Sequence, residues 1–243
     1  AHAFASTAAF LAIGVVSYRT GTSKISELGG MIHRMPITYV VYLSAIISMA
    51  GIPPMGGFIS KWLIFQALIQ SKMVILAVAA FMGSIGSFLY VFRPLAALFL
   101  GQDLPKYKNV KEAPILMLIP MIILTLLSVL SGVFPTLFLP MINSVLGELG
   151  FAPLITDGLQ IVGYNGILDA PLIALVFGIG VVVVFILFMI FPKSRKVGLM
   201  DTYTSGEFIY TPELLHYSAD FYAPLERLYR EEPFVNKVYK AIK

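Results

Sequence analysis

Lys61 is the residue whose type and setting most directly suggest chemistry. It follows the string Gly51-Ile52-Pro53-Pro54-Met55-Gly56-Gly57 and is flanked on both sides by apolar sequence. A cation at membrane depth costs at least about 2.5 kcal/mol on insertion scales, so it normally faces a protein interior or a water-filled cavity. Lysine suits proton exchange because desolvation favours the neutral amine, whereas a nearby carboxylate or an opened helix end favours the ammonium. A change in local field then loads or unloads a proton. The competing reading has Lys61 snorkel to an interface beside Trp62, a common anchoring residue. Its place next to a helix break favours the proton relay.

His2 is the second candidate, because imidazole titrates near neutral pH and this one stands at the edge of the first apolar segment. A single histidine near a chain end is more often simply solvated. Arg93-Pro94 reads as a snorkelling anchor and kink, and Glu27 and His33 as members of a solvated loop. Glu213 and His216 lie in a charged tail, where contact with a partner outranks catalysis. Gly178-Ile179-Gly180 sits inside an apolar run and reads as helix packing rather than nucleotide binding. With no metal-ligand cluster and no nucleophile constellation in the sequence, enzyme chemistry within this chain alone is not expected.

These residues need a membrane to position them. The chain is 58% hydrophobic and only 12% charged, with a mean hydropathy of +0.87, whereas soluble domains carry roughly 25% charged residues. The formal charge of +4 is spread between apolar runs rather than gathered in one patch, which argues for membrane orientation and against nucleic acid. The absence of cysteine excludes disulfides, thiolate metal sites and cysteine-ligated iron–sulfur clusters in this chain. The start at Ala1, without Met or a basic leader, reads as a cut or processed terminus.

Spans need roughly 20 apolar residues, and five segments qualify: 3–18, 37–70, 74–100, 114–134 and 171–191. Helices are required because lipid offers no partner for an unpaired backbone amide. The second segment is too long for one straight helix, and Gly51, Pro53, Pro54, Gly56 and Gly57 are expected to break it. Loop charges favour a single discontinuous crossing over a hairpin. The loop with Arg19, Lys24 and Arg34, the loop with Lys106, Lys108 and Lys111, and the stretch Lys193, Arg195, Lys196 then share one face, cytoplasmic by the positive-inside rule. The 135–170 connection carries Glu148, Asp157 and Asp169 but no Lys or Arg, and falls on the opposite face. Within it, 138–149 suits a short interfacial helix. The expected architecture is all-α and polytopic: a transmembrane domain over 1–192 with about five helices, one of them discontinuous around GIPPMGG, and a cytoplasmic tail over 193–243.

Two motifs resemble the antiporter-like, proton-pumping subunits of respiratory complex I, Mrp sodium/proton antiporters and membrane-bound hydrogenases. HAFASTAAFL, residues 2–11, looks like that family's HAFFKALLFL helix, and Ile25-Ser26-Glu27-Leu28-Gly29-Gly30 fits the loop after it. GIPPMGGFISKW, residues 51–62, is similar to GIPPFSGFFSKW. The resemblance implies that Lys61 occupies the position of a lysine or glutamate on the family's central proton path and that His2 matches its histidine. The family's lysine maps to Ser6, which puts a relay step there in doubt. The tail, from Asp201 through Tyr217 to Leu225, resembles that of hydrogenase-type members. Only the second of the family's two inverted repeats is covered, which implies a split or truncated subunit that completes its path with a neighbouring chain or has become structural.

The expected function is therefore H+ or Na+ translocation by one subunit of a respiratory membrane complex, a membrane-bound hydrogenase or a related sulfur-reducing complex. It is a non-catalytic subunit of an oxidoreductase assembly in the cell membrane. Iron–sulfur clusters are expected in partner subunits, which include further antiporter-like chains, and no cofactor is expected in this one. The alternatives are a structural subunit that bridges modules without its own ion path, and a self-standing cation/proton antiporter.

Overall fold

The computed structural model describes residues 1–100, 104–163 and 166–190. Helices dominate it: α1 (His2–Thr20), α2 (Pro36–Ala50), α3 (Gly56–Gln70), α4 (Val74–Pro94), α5 (Ile115–Val133), α6 (Leu139–Glu148) and α7 (Ala170–Ile190). Among the described residues, four helical segments are long and apolar enough to cross a membrane: His2–Thr20, Val74–Leu100, Ile115–Val133 and Ala170–Ile190. The shorter Pro36–Ala50 is also apolar.

Each boundary has a local cause. Gly21, left-handed at φ 73°, closes α1, and its N–H donates to the Ser17 carbonyl. Pro36 opens α2 at a first-turn position, where its missing N–H costs nothing. Gly51, at φ 81°, ends α2 with its N–H on the Ile47 and Ser48 carbonyls. Pro53 and Pro54 then withhold two donors, and helical hydrogen bonding resumes only at Gly56. The apolar run 37–70 thus comprises two helices, α2 ending at Ala50 and α3 beginning at Gly56. Past Pro94, Leu95–Leu100 continue with π-helical hydrogen bonds.

The main core lies between α1, α2, α5 and the π-helical segment. α1 contributes mostly small side chains, Ala5, Ala8, Ala9 and Ala12, at helical spacing. In lipid this matters more than hydrophobicity, because apolar side chains gain little by leaving one apolar medium for another and close backbone approach drives association. Tyr42 stacks on Phe99 with ring centroids 5.6 Å apart, and its hydroxyl donates to the Val91 carbonyl at 3.2 Å. By contrast, α7 leaves apolar side chains such as Val181, Phe185 and Phe188 exposed along its length, as a lipid-facing helix does.

The two basic loops meet at one end of the bundle. Arg34 donates to the Lys108 carbonyl at 2.9 Å, Arg19 donates to the Glu112 carbonyl, and Lys106 lies 3.9 Å from the Glu27 carboxylate. α1 ends there, and α2 and α5 begin there. The short helix expected over 138–149 is matched in extent by α6.

A three-stranded antiparallel sheet was not expected. It comprises β1 (Ile155–Asp157), β2 (Gln160–Gly163) and β3 (Gly166–Leu168) in the order β1-β2-β3. Asp157 pairs with Gln160 across a two-residue turn in which Gly158 takes φ +58°. Ile161 and Leu168 pack with Ile59 of α3, Leu139 of α6 and Ala170 of α7 in a second, smaller core. The stretch Lys193 to Lys196 and the tail expected over 193–243 lie outside the described residues.

Candidate functional site

The break between α2 and α3 is built from close approaches that only glycine permits. A Cβ on Gly57 would overlap the carbonyl oxygen of Ser48, and one on Gly56 would overlap the Ser131 hydroxyl. Gly132 of α5 is in the same position against the Pro54 carbonyl. α5 therefore packs backbone to backbone against the interruption. Beside it, the buried hydroxyls of Ser128 and Ser48 are hydrogen-bonded at 3.1 Å, joining α5 to the last turn of α2.

A broken helix leaves its last carbonyls without intrahelical donors. Lys61, in the second turn of α3, supplies them. Its ammonium donates to the Met49 carbonyl at 2.7 Å and to the Ala50 carbonyl at 3.1 Å. The side chain reaches these oxygens by passing over Gly51, where an added Cβ would stand 2.6 Å from the Lys61 Cδ. Gly51 is thus required twice, for its left-handed φ and for the space that Lys61 uses. The half-buried Lys61 places a positive charge at the negative end of the α2 dipole, which favours a cation there.

Two of the three ammonium N–H donors are engaged by these carbonyls. Release of one proton leaves an amine with two N–H groups, enough in number for both oxygens. The site can therefore exchange a proton and keep the helix end capped in either state.

His2 takes the first position of α1 and is exposed. The turn that carries it lies beside the break, since a Cβ on Gly56 would be 3.0 Å from the Ala1 Cβ. The two motifs are neighbours, although no hydrogen bond joins His2 to Lys61. Ser6 donates to the His2 carbonyl at 2.9 Å, so its hydroxyl bonds within its own helix. Trp62 is half exposed and stacks obliquely on Phe58, at 5.9 Å between centroids. Lys61 itself turns back onto α2 rather than following Trp62 outward. Arg93 is exposed near the end of α4, and His33 is exposed in the α1–α2 loop. Glu27 pairs with Lys24 at 3.3 Å. Among the described residues, no group of three or more His, Cys, Asp or Glu side chains is arranged to hold a metal ion.

Sequence reasoning missed Glu112. Its carboxylate accepts from the Ile37 N–H at 2.7 Å and the Thr38 hydroxyl at 2.6 Å, at the opposite end of α2 from Lys61. An acidic residue after three loop lysines carries no local signal of a contact some 75 positions away.

Comparison with known proteins agrees with the motif reading. Residues 1–87 match the family described as NADH:quinone oxidoreductase/Mrp antiporter, TM, and so include both motifs. One subunit of the Na(+)/H(+) antiporter of Bacillus subtilis is 35% identical over 161 residues, which cover 59% of this chain and 20% of that protein. An uncharacterised protein of Methanocaldococcus jannaschii is 32% identical over 153 residues, 61% of this chain and 31% of that one. A chain of the membrane-bound sulfane sulfur reductase, an archaeal respiratory membrane complex, superposes with a TM-score of 0.80 at 34% identity, covering 99% of this chain and 40% of that chain. The Mrp complex of Dietzia sp. DQ12-45-1b shares the fold at a TM-score of 0.52 and 20% identity, over 56% of this chain and 34% of that chain. The chain thus spans about one fifth of the Bacillus relative. Its resemblance to antiporter-like subunits holds in sequence and in fold, and it is a multi-pass membrane protein.

Proposed function

We propose that this chain is an antiporter-like subunit of a respiratory membrane complex and contributes to H+ or Na+ translocation coupled to redox chemistry in partner subunits. The observation that carries the reading is the Lys61 ammonium resting on the Met49 and Ala50 carbonyls at the helix break. A group held by helix-end dipoles responds to field: an added negative charge nearby favours the ammonium, and an added positive charge favours the amine. Redox events in a partner would supply that change. The similarity to a chain of the sulfane sulfur reductase, an archaeal respiratory membrane complex, supports a place in a multi-subunit membrane assembly. That assembly would be of the sulfur-reducing or hydrogenase type, with further antiporter-like subunits and with iron–sulfur clusters held by partners. α2 and α3 would form one discontinuous crossing, the basic loops would face the cytoplasm, and the membrane would be that of the cell.

The test compares the complete, membrane-embedded complex carrying Lys61→Ala with wild type. Redox turnover that persists while ion uptake into inverted vesicles is lost supports the relay; uptake at the wild-type rate refutes it. A second reading, a structural subunit bridging modules, is favoured by Ser6 at the family's lysine position. It requires that deletion of this chain abolish assembly while Lys61→Ala spares transport.

A further inference from the structure

α2 is held by charged side chains at both ends. At its start, Glu112 accepts from the Ile37 N–H and the Thr38 hydroxyl, and its own loop is closed by the Ala113 N–H on the same carboxylate at 3.0 Å. Ile37 is in the first turn of α2, where N–H groups have no intrahelical acceptor. At its end, the Lys61 ammonium satisfies two orphan carbonyls. The signs follow the helix dipole, anion at the N-terminus and cation at the C-terminus.

The two contacts are joined by one unbroken helix. From Pro36 to Ala50 it rises about 21 Å, and Thr38, Val41, Tyr42, Ala45, Ile46 and Ser48 are buried along it. Over that length the direct attraction between Glu112 and Lys61 is weak, so the coupling must run through the position of the helix. Among the described residues, the charged groups around the Glu112 clamp include Arg19 from α1, bonded to the Glu112 carbonyl, Arg34 from the α1–α2 loop, bonded to the Lys108 carbonyl, and Lys111 beside it in sequence. None of the hydrogen bonds to Lys61 comes from a carboxylate.

We propose that Glu112 is a positioning residue for Lys61: by clamping the first turn of α2 to the loop ahead of α5, it fixes the Met49 and Ala50 carbonyls at the far end of the same helix. A displacement of the basic loop is then transmitted to the group that holds the proton. This deepens the relay reading, and its direct readout does not require ion transport.

The test is competitive amine labelling of Lys61 in the intact complex across a pH series, with exposed Lys72 as the internal reference. Glu112→Ala loosens the carbonyls, so Lys61 labelling relative to Lys72 is expected to rise about threefold or more at a fixed pH below the lysine range. Glu112→Gln keeps an acceptor oxygen and gives a smaller rise, as does Thr38→Val, which removes one donor and leaves the loop untouched. Unchanged Lys61 labelling in these variants overturns the proposal. Should Glu112→Ala fail to assemble, Glu112→Gln and Thr38→Val decide it. Altered labelling with wild-type transport would keep the positioning role and sink the relay reading, whereas unaltered labelling with lost transport would do the reverse.

Discussion

Gly57 of α3 lies so close to Ser48 of α2 that any side-chain carbon on it would overlap the Ser48 carbonyl oxygen. The atom in the way is backbone, so the neighbour cannot swing aside as a flexible side chain would. Gly57→Ala is expected to part α2 from α3 and to cost about 1–3 kcal/mol or more, the usual range for overpacking. Thermal unfolding of the detergent-extracted assembly measures it. Gly83→Ala on α4, where an added Cβ meets nothing within 4 Å, should leave the midpoint unchanged or slightly raised.

The contacts between the two basic loops fix which segments share a face, and the absence of native cysteine makes that simple to test. An impermeant maleimide applied to intact cells should label Asp157→Cys. It should reach Lys24→Cys and Lys108→Cys only after the membrane is opened. Labelling of Lys24→Cys and Lys108→Cys from opposite sides would contradict a single crossing by α2 and α3.

At the start of α7, the Asp169 carboxylate accepts from the Leu172 N–H at 2.9 Å and from the Gln160 amide at 2.7 Å. The Leu172 bond, and after it the Gln160 bond, hold this carboxyl below the usual aspartate range, against a small opposing effect of desolvation. A folded value below the unfolded one means stabilisation that is complete above the unfolded value, about pH 3.9, and is lost as pH falls through the lower folded value. Wild type should therefore unfold at a higher temperature than Asp169→Asn near neutral pH, and the gap should close in acid. A gap independent of pH would show that the charge on Asp169 contributes nothing.

Much of this was legible in the sequence, because lipid leaves the chain few choices. Apolar length fixed α1, α5, α7 and the combined segment Val74–Leu100 to within about two residues, and Pro53 and Pro54 marked the break because they remove donors that no solvent at that depth replaces. Lysine beside such a break pointed to Lys61, and an opened helix end was among the partners expected for it. The sheet over 155–168 was legible and overlooked: Asp157-Gly158 is a hairpin signal, hidden by strands only three or four residues long. Glu112 was not legible at all, since its role comes from a contact between loops far apart in the chain.

The most direct test of the central claim is the number of ions moved per electron in the complete complex, wild type against Lys61→Ala. If Lys61 relays the ion, the ratio falls while electron transfer and subunit composition stay as in wild type. A ratio unchanged in a fully assembled Lys61→Ala complex would show that the lysine merely caps α2 and that the ion passes elsewhere.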